Sequence, residues 1–456
     1  MDITSPRSAP PSQKNHGFFK RNNKKSVEKE QKLFVYLICI YVITWYLQLG
    51  LRVEILGQIR FEFIIGFILS VCSIIKISGE RKSTPLKTPT IFFFSVIVFY
   101  TIFTYDHQTS WNIFYQRVLK FSMLALFFTA FIRTEWALKM VIGAFLLAML
   151  KLGQEGFTGW AGGGLVWQNQ GVMRLHGSTP SYRHPNSFSG MAVGCLPFIY
   201  FLFPVVKKYW QKFALLTLLF FCLIIIIFTA SRTGYVATGL LSAYAILKLK
   251  GKQKKVAIAF LFIGFPLIFS TIPSEYMERL QSIYTLEEAE GNSANARITI
   301  LKDAAYIAAS KPWGVGVAAF PKVRMEAFGR FQDTHNLYLE LLTNLSIIGL
   351  IAFFILIKRI IDVNISIQRD LKDLDTYNSK FLTAISKAIV GFIMARLFLG
   401  LFGMDTYEIY WWFAIGLTAS VYRTKVRLMD CQHQHKRPDT GHKSTNLSNP
   451  LIKRCR

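Results

Sequence analysis

HNLYLELLTNLSIIGLIAFFILIK, residues 335–358, decides what kind of molecule this chain makes. Between Asn336 and Lys358 it carries one charged residue, Glu340. A helix of that length spans the roughly 30 Å hydrocarbon core of a bilayer. Comparable runs recur at roughly 33–50, 61–77, 90–105, 113–132, 136–153, 185–206, 213–230, 233–249, 256–272, 383–403 and 407–422. Lipid offers no partner to a free N–H or C=O, so these runs must be helical. The expected fold is therefore an all-α integral membrane protein of about twelve transmembrane helices. A composition that is 52% hydrophobic, with mean hydropathy +0.33, fits that class.

The net charge of +27 would suggest nucleic acid were it not for its placement. Basic residues crowd residues 7–32 and the tail after 422. They also follow alternate spans, at Arg81–Lys87, Lys207–Lys212, Lys248–Lys255 and Lys358–Lys372. With an even span count, all of them fall on one side. That is the positive-inside pattern and puts both termini in the cytoplasm. Insertion signals and attraction to anionic lipid account for the charge, and no nucleic-acid partner is expected. The organisation read from this is a basic cytoplasmic tail, 1–32, a polytopic membrane domain, 33–422, and a second basic tail, 423–456. The segment 273–335 is a long outer loop whose acidic and basic residues nearly balance.

Residues 1–32 are polar and do not form a cleavable signal; the first span serves as the anchor. Cys39, Cys72, Cys195 and Cys222 lie inside spans, and Cys431 and Cys455 lie in the tail, so no disulfide framework is expected. No Cys/His spacing suits a metal, and His433, His435 and His442 read as part of a soluble tail. No metal or other cofactor is expected.

The candidate chemistry collects at the outer face. The glycine- and aromatic-rich loop 154–184 carries Arg174 and Arg183 and leads into His184, Pro185 and Asn186 at the sixth span. The seventh span ends at Ser231–Arg232. Within the outer loop, NARITILKDAAYIAA at 295–309 reads as an amphipathic helix with Arg297 at its start, stopped by Pro312 and two glycines. His335 and Asn336 open the tenth span. Glu340 lies just over one turn deeper, and Arg396 about two turns inside the eleventh span. Charges at such depth pair or face a cavity, and the ordinary reading of these two is that they pair with each other. Arg232 alone reads as an end residue whose stem snorkels, Arg174 and Arg183 as loop charges, and His335 as a locally bonded helix start. On one side of the membrane, Arg232, Arg297 and His335 would form a cationic site with a titratable nitrogen, suited to a substrate carrying phosphate and a hydroxyl that must lose a proton. Asp405 and Glu408, at the edge of the last hairpin, are an alternative base.

On these residues the chain, over roughly 150–420, resembles the O-antigen ligase and Wzy-type polymerase superfamily. The resemblance rests on Arg174 with Pro185–Asn186, TASRTGYVA at 229–237, NARITILKDA and KPWGVGVAAF within 295–320, and the His-Asn opening at 335. The family's histidine motif continues nine residues later with Gly-x-x-Gly; here Ser346 and Gly349 occupy those places. The resemblance implies a metal-independent glycosyltransferase of GT-C type in the bacterial inner membrane. Its donor would be an undecaprenyl-diphosphate-linked glycan and its acceptor a glycan or lipid core, with a polysaccharide assembly complex as a further partner. By motif, Arg232 and Arg297 would bind the diphosphate and His335 would act on the acceptor hydroxyl. Arg174, Arg183, Asn186, Ser231, Asn336, Glu340 and Arg396 would support them. Ligase and polymerase both stay open, and a polytopic transporter or a non-catalytic assembly subunit are the readings from other classes.

The topology has a direct check. Reporter fusions at residues 80, 210, 252 and 370 should read cytoplasmic, and fusions near 165 and 300 should read outside. A cytoplasmic signal near 300 would separate Arg297 from the other candidates.

Overall fold

The computed structural model describes residues 14–80, 83–169, 172–248, 251, 254–255, 274–277, 293–404 and 406–435. Six helical stretches among them are long and apolar enough to cross a membrane: Phe61–Ser78, His107–Phe131, Glu135–Ala161, Tyr209–Phe228, Leu337–Asp370 and Tyr377–Leu399. Gln31–Leu47 and Lys87–Ile102 are shorter apolar helices. In chain order the helices are α1 (Lys14–Leu47), the short α2 (Leu49–Arg52) and α3 (Glu54–Gln58), α4 (Phe61–Ser78), α5 (Lys87–Ile102), α6 (His107–Ile113) and α7 (Lys120–Phe131). They continue with α8 (Glu135–Ala161), α9 (Pro185–Leu202), α10 (Tyr209–Phe228), α11 (Arg232–Lys248), α12 (Ser293–Ser310), α13 (Phe320–Phe328), α14 (Leu337–Asp370), α15 (Tyr377–Leu399) and α16 (Ile409–His435). The stretch expected at 256–272 lies outside the described residues.

One expected boundary moves, and two segments gain regular structure. α8 does not stop at 153 but runs on to Ala161, because the polar residues of its last turns find partners. Glu155 accepts from Arg52 Nη1 and Nη2 at 2.6 and 2.9 Å, and also binds Ser178. The rest of the 154–184 loop is not all irregular: β1 (Val166–Asn169) and β2 (Val172–Leu175) pair antiparallel, with Trp167 opposite Arg174. Among the described residues the fold is thus helical with one small hairpin. Both basic flanks are partly helical, since α1 begins at Lys14 and α16 continues to His435.

α9 lies at the centre and is buried along most of its length, packed against α15, α10 and α8. Gly190 and Gly194 make the α9–α15 approach close. A Cβ at either would lie 3.3 or 3.0 Å from the Arg396 guanidinium.

The tenth apolar run is not one continuous helix. At Ser346 the backbone turns to φ 56°, ψ −173°, which breaks α14. The turn after α12 fills the break. Val315 N donates to Thr343 O and Gly316 N to Asn344 O, both at 2.9 Å, and the Asn344 side chain accepts from Phe320 N at 3.2 Å. The other edge of that turn is bound too: Val317 N donates to Tyr100 O, Tyr105 N to Val315 O, and Ser110 Oγ to Val317 O at 2.6 Å. Gly314 (φ 81°) and Gly316 (φ 104°) are required here. A Cβ at 314 would sit 2.9 Å from Asn344 O, and one at 316 would overlap Thr104. Backbone carbonyls freed at such a break cost several kcal/mol each if left bare in an apolar setting.

Ser346 occupies backbone space that only glycine enters without strain, at a cost of order 1–3 kcal/mol. Its hydroxyl offsets part of this through Tyr100 OH at 2.6 Å and Ile348 N at 3.2 Å. Both Ser346→Ala and Ser346→Gly lose those bonds, but only glycine relieves the strain. Thermal unfolding should therefore rank glycine above alanine at 346 by about 1–3 kcal/mol, the reverse of the usual helix-interior order. Alanine equal to or above glycine would show the turn to be unstrained.

Candidate functional site

The site is built where α9, α11, α12 and α14 all begin. TASR at 229–232 is a tight turn between α10 and α11, with Ala230 buried at φ 48°. Ser231 Oγ caps α11 by accepting from Gly234 N at 3.3 Å. Arg232 is then the first residue of α11. A cation there opposes the helix dipole, and a guanidinium beside a helix N-terminus is a setting that favours an anion.

Arg174 is buried, 2% exposed, and is not a loop charge. Its Nε donates to Thr229 O and its Nη2 to Asn186 Oδ1, both at 2.8 Å. It therefore ties the hairpin to the TASR turn and to the start of α9. Asn186 is the other half of that tie. His184 caps α9, its Nδ1 accepting from Asn186 N at 3.2 Å, and Arg183 beside it is exposed.

His335 stands just before α14 at φ 48°, in left-handed space that few residues other than glycine enter and that histidine enters more readily than most. Asn336 is the helix cap: its Oδ1 accepts from Tyr338 N and Leu339 N at 3.0 Å, and its Nδ2 donates to Leu401 O. Asn336 is thus committed to holding the helix start. Arg297 lies in the first turns of α12, half-buried. It acts electrostatically on both His184 and His335, and His335 acts on His184, so these three groups share one neighbourhood.

Both imidazoles are held below their ordinary range. His184 is pulled to about 4, first by burial and then by Arg174, His335 and Arg297. His335 is lowered by burial, then by Arg297 and Arg324. Each ring keeps open surface but has protein over the rest of it. The result is a pair of neutral rings at pH 7 beside permanent guanidinium charge.

The two deeper charges have partners in other elements. Glu340 Oε2 accepts from Thr406 N at 3.2 Å and Thr406 Oγ1 at 2.8 Å, which locks α14 to the last hairpin. The Arg396 guanidinium lies 3.4 Å over the Tyr410 ring and 5.4 Å from that of Phe392, against the Gly190–Gly194 face. Glu408, the alternative base, is engaged by Arg117 Nη1 at 2.7 Å. Asp405 lies outside the described residues.

Sequence reading did not single out Arg324. It is 1% exposed and donates from Nε and Nη2 to Asp303 Oδ2, at 2.9 and 2.8 Å, and from Nη1 to Gln332 Oε1 at 3.2 Å. It pins α13 to α12 and to the segment that leads into His335. Asp333, two residues before His335, was also missed; burial raises its carboxyl against the opposing pull of Arg117. Neither belongs to an apolar run or a spaced motif, so no periodicity pointed to them.

Residues 216–354, from α10 into α14, match the family model described as O-antigen ligase. That segment contains Arg232, Arg297 and His335, and over it the chain is similar to the O-antigen ligase and polymerase superfamily. No curated protein matches the chain.

Two outcomes follow from this geometry. An unfolded imidazole titrates near 6.5 and folded His184 at about 4. As the pH falls through that window, the unfolded chain takes up a proton the folded chain refuses, so stability present above 6.5 is lost. His184→Gln should make the melting temperature less sensitive to pH between 7 and 5; an unchanged pH slope would mean the ring is not shielded. Arg324→Met leaves the Asp303 carboxylate buried without its main partner. Such a break costs about 3–5 kcal/mol, and removing the cation should raise the pKa of His335 in an NMR titration. A variant with normal stability would show that Arg324 does not hold the loop.

Proposed function

We propose that this protein is a membrane glycosyltransferase of the O-antigen ligase or polymerase type. It would move an undecaprenyl-diphosphate-linked glycan to an acceptor hydroxyl at the outer side of the bacterial inner membrane. The observation that carries the reading is the shared neighbourhood of a neutral His335 and the Arg297 guanidinium at one end of the bundle, within the segment that matches the family. The site would lie on a bundle of about twelve spans with both termini cytoplasmic.

The chemistry fits these groups. As the glycosidic bond breaks, negative charge grows on the lipid diphosphate and oxocarbenium character grows on the sugar. Arg232 and Arg297 would take the diphosphate oxygens in bidentate fashion, with charge that no pH change in the cell removes. Fixed cations are most effective where water is excluded, and with charge met by arginine the transfer needs no metal. A neutral imidazole can accept the acceptor's proton, so His335 would be the base or would orient the hydroxyl. Arg174, Asn186, Ser231 and Asn336 would hold the backbone turns that present these groups.

Transport is weaker on the same ground. Transporters bind ions on the free carbonyls of broken helices. Here Thr343 O and Asn344 O at the break in α14 are taken by Val315 and Gly316.

Deleting the gene and examining lipid-linked glycans tests the class. Accumulated single repeats indicate polymerisation, accumulated long chains indicate ligation, and an unchanged profile contradicts glycan transfer. Arg232→Lys and Arg297→Lys should each impair activity severely at normal protein level, because lysine lacks the fork that grips two oxygens. Activity of the purified protein should survive EDTA. Loss on chelation with rescue by magnesium would point to a metal-dependent route instead.

A further inference from the structure

At the end of the bundle opposite His335, side chains from three elements converge on one ring. Lys139, in the first turns of α8, places its ammonium 4.6 Å from the centre of the Tyr377 ring, and Lys207, just past α9, lies 5.0 Å from the same centre. Lys139 also donates to Asn378 Oδ1 at 3.3 Å and lies 5.2 Å from the Phe381 ring. Tyr377, Asn378 and Phe381 belong to the first turns of α15. Glu135 is the carboxylate that acts on Lys139, and Asp375 is held by Lys380 at 2.5 Å. One ring therefore gathers two ammonium groups, with Lys208 next in the chain.

The height of this cluster is marked by its neighbours. Tyr209 is 89% exposed and Trp210 64% exposed, with Phe213 72% exposed one turn on. Large aromatics turned outward beside lysines mark the headgroup level of a bilayer. Two ammoniums drawn to one ring repel each other, and an anion that meets both would offset that repulsion. Basic clusters between helix ends at the cytoplasmic face take phospholipid headgroups.

We propose that Lys139, Lys207 and Tyr377 form a binding site for the phosphate of an anionic phospholipid, at the end of the bundle opposite the candidate active site. The lysines would hold the phosphate oxygens, with Tyr209, Trp210 and Phe213 beside the glycerol and acyl chains. Inorganic phosphate shares the charge chemistry but lacks the apolar part that meets those aromatics. The inference does not depend on the glycosyltransferase reading.

The test is native mass spectrometry of the purified full chain, titrated separately with phosphatidylglycerol, phosphatidylcholine and inorganic phosphate. Wild type should retain phosphatidylglycerol well above phosphatidylcholine. Lys207→Gln alone should weaken that retention about fivefold, and Lys139→Gln with Lys207→Gln by a further similar factor. Lys207 is exposed, so the single variant decides the matter even if the double variant does not fold. Lys358→Gln, whose lysine pairs with Asp362 on α14, should bind like wild type. Equal retention by Lys207→Gln and wild type, or equal binding of the two lipids, would overturn the proposal. Displacement of phosphatidylglycerol by millimolar inorganic phosphate would overturn the lipid assignment in favour of a soluble anion.

Discussion

The break in α14 has to be closed by backbone from elsewhere, and much of the candidate site hangs on that closure. A helix interrupted among apolar neighbours exposes carbonyls that lipid cannot satisfy. Val315 and Gly316 satisfy Thr343 and Asn344, while Tyr100 and Tyr105 bind the opposite edge of the same turn. The turn is therefore wedged between α5 and α14 and has little freedom to slide. α12 before it and α13 after it inherit that position. Arg297 stands on α12, and Arg324 on α13 reaches back to Asp303 and forward to Gln332. His335 follows three residues on. The histidine and Arg297 are thus placed by one anchored loop, not by two independent helix ends.

The electrostatics follow from that placement. A buried guanidinium bound to a buried carboxylate adds little net stability over an apolar pair, yet it is costly to break. Its use here is geometric, because it fixes the approach to His335 without occupying the imidazole. Arg174 has the same role on the other side, joining the hairpin, the TASR turn and the start of α9. Burial first, and these arginines after it, lower the nearby rings, Arg174 acting on His184 and Arg324, behind Arg297, on His335. Burial and the cations that build the site thus act in the same direction on both rings.

Long apolar runs were legible in the chain because lipid permits one backbone solution for them. The helix at 295–309 was legible from its pattern and its Pro-Gly stop, and it appears as Ser293–Ser310. The break at Ser346 was not, because the run around it stays apolar and the cause lies in a turn some thirty residues earlier in the chain. The motif comparison did mark the place: where the family carries glycine, this chain puts serine in glycine's backbone space. Arg232, Arg297 and His335 were singled out by position and motif, and the fold brings Arg297 and His335 into one neighbourhood. Arg174 and Asn336 were named as supporting residues, but their partners, Thr229, Asn186 and Leu401, were not legible because two of the three acceptors are backbone carbonyls. Arg324 and Asp303 look like ordinary surface charges until folding buries them together.

The central claim is that His335 serves proton transfer while the arginines hold the donor, and separate measurement of donor affinity and turnover in His335→Ala tests it most directly. Turnover should fall by about two to four orders of magnitude, with lipid-diphosphate affinity near that of the unaltered protein. Turnover close to normal would contradict a base at 335, and lost donor affinity with intact turnover at saturation would make His335 a phosphate ligand instead.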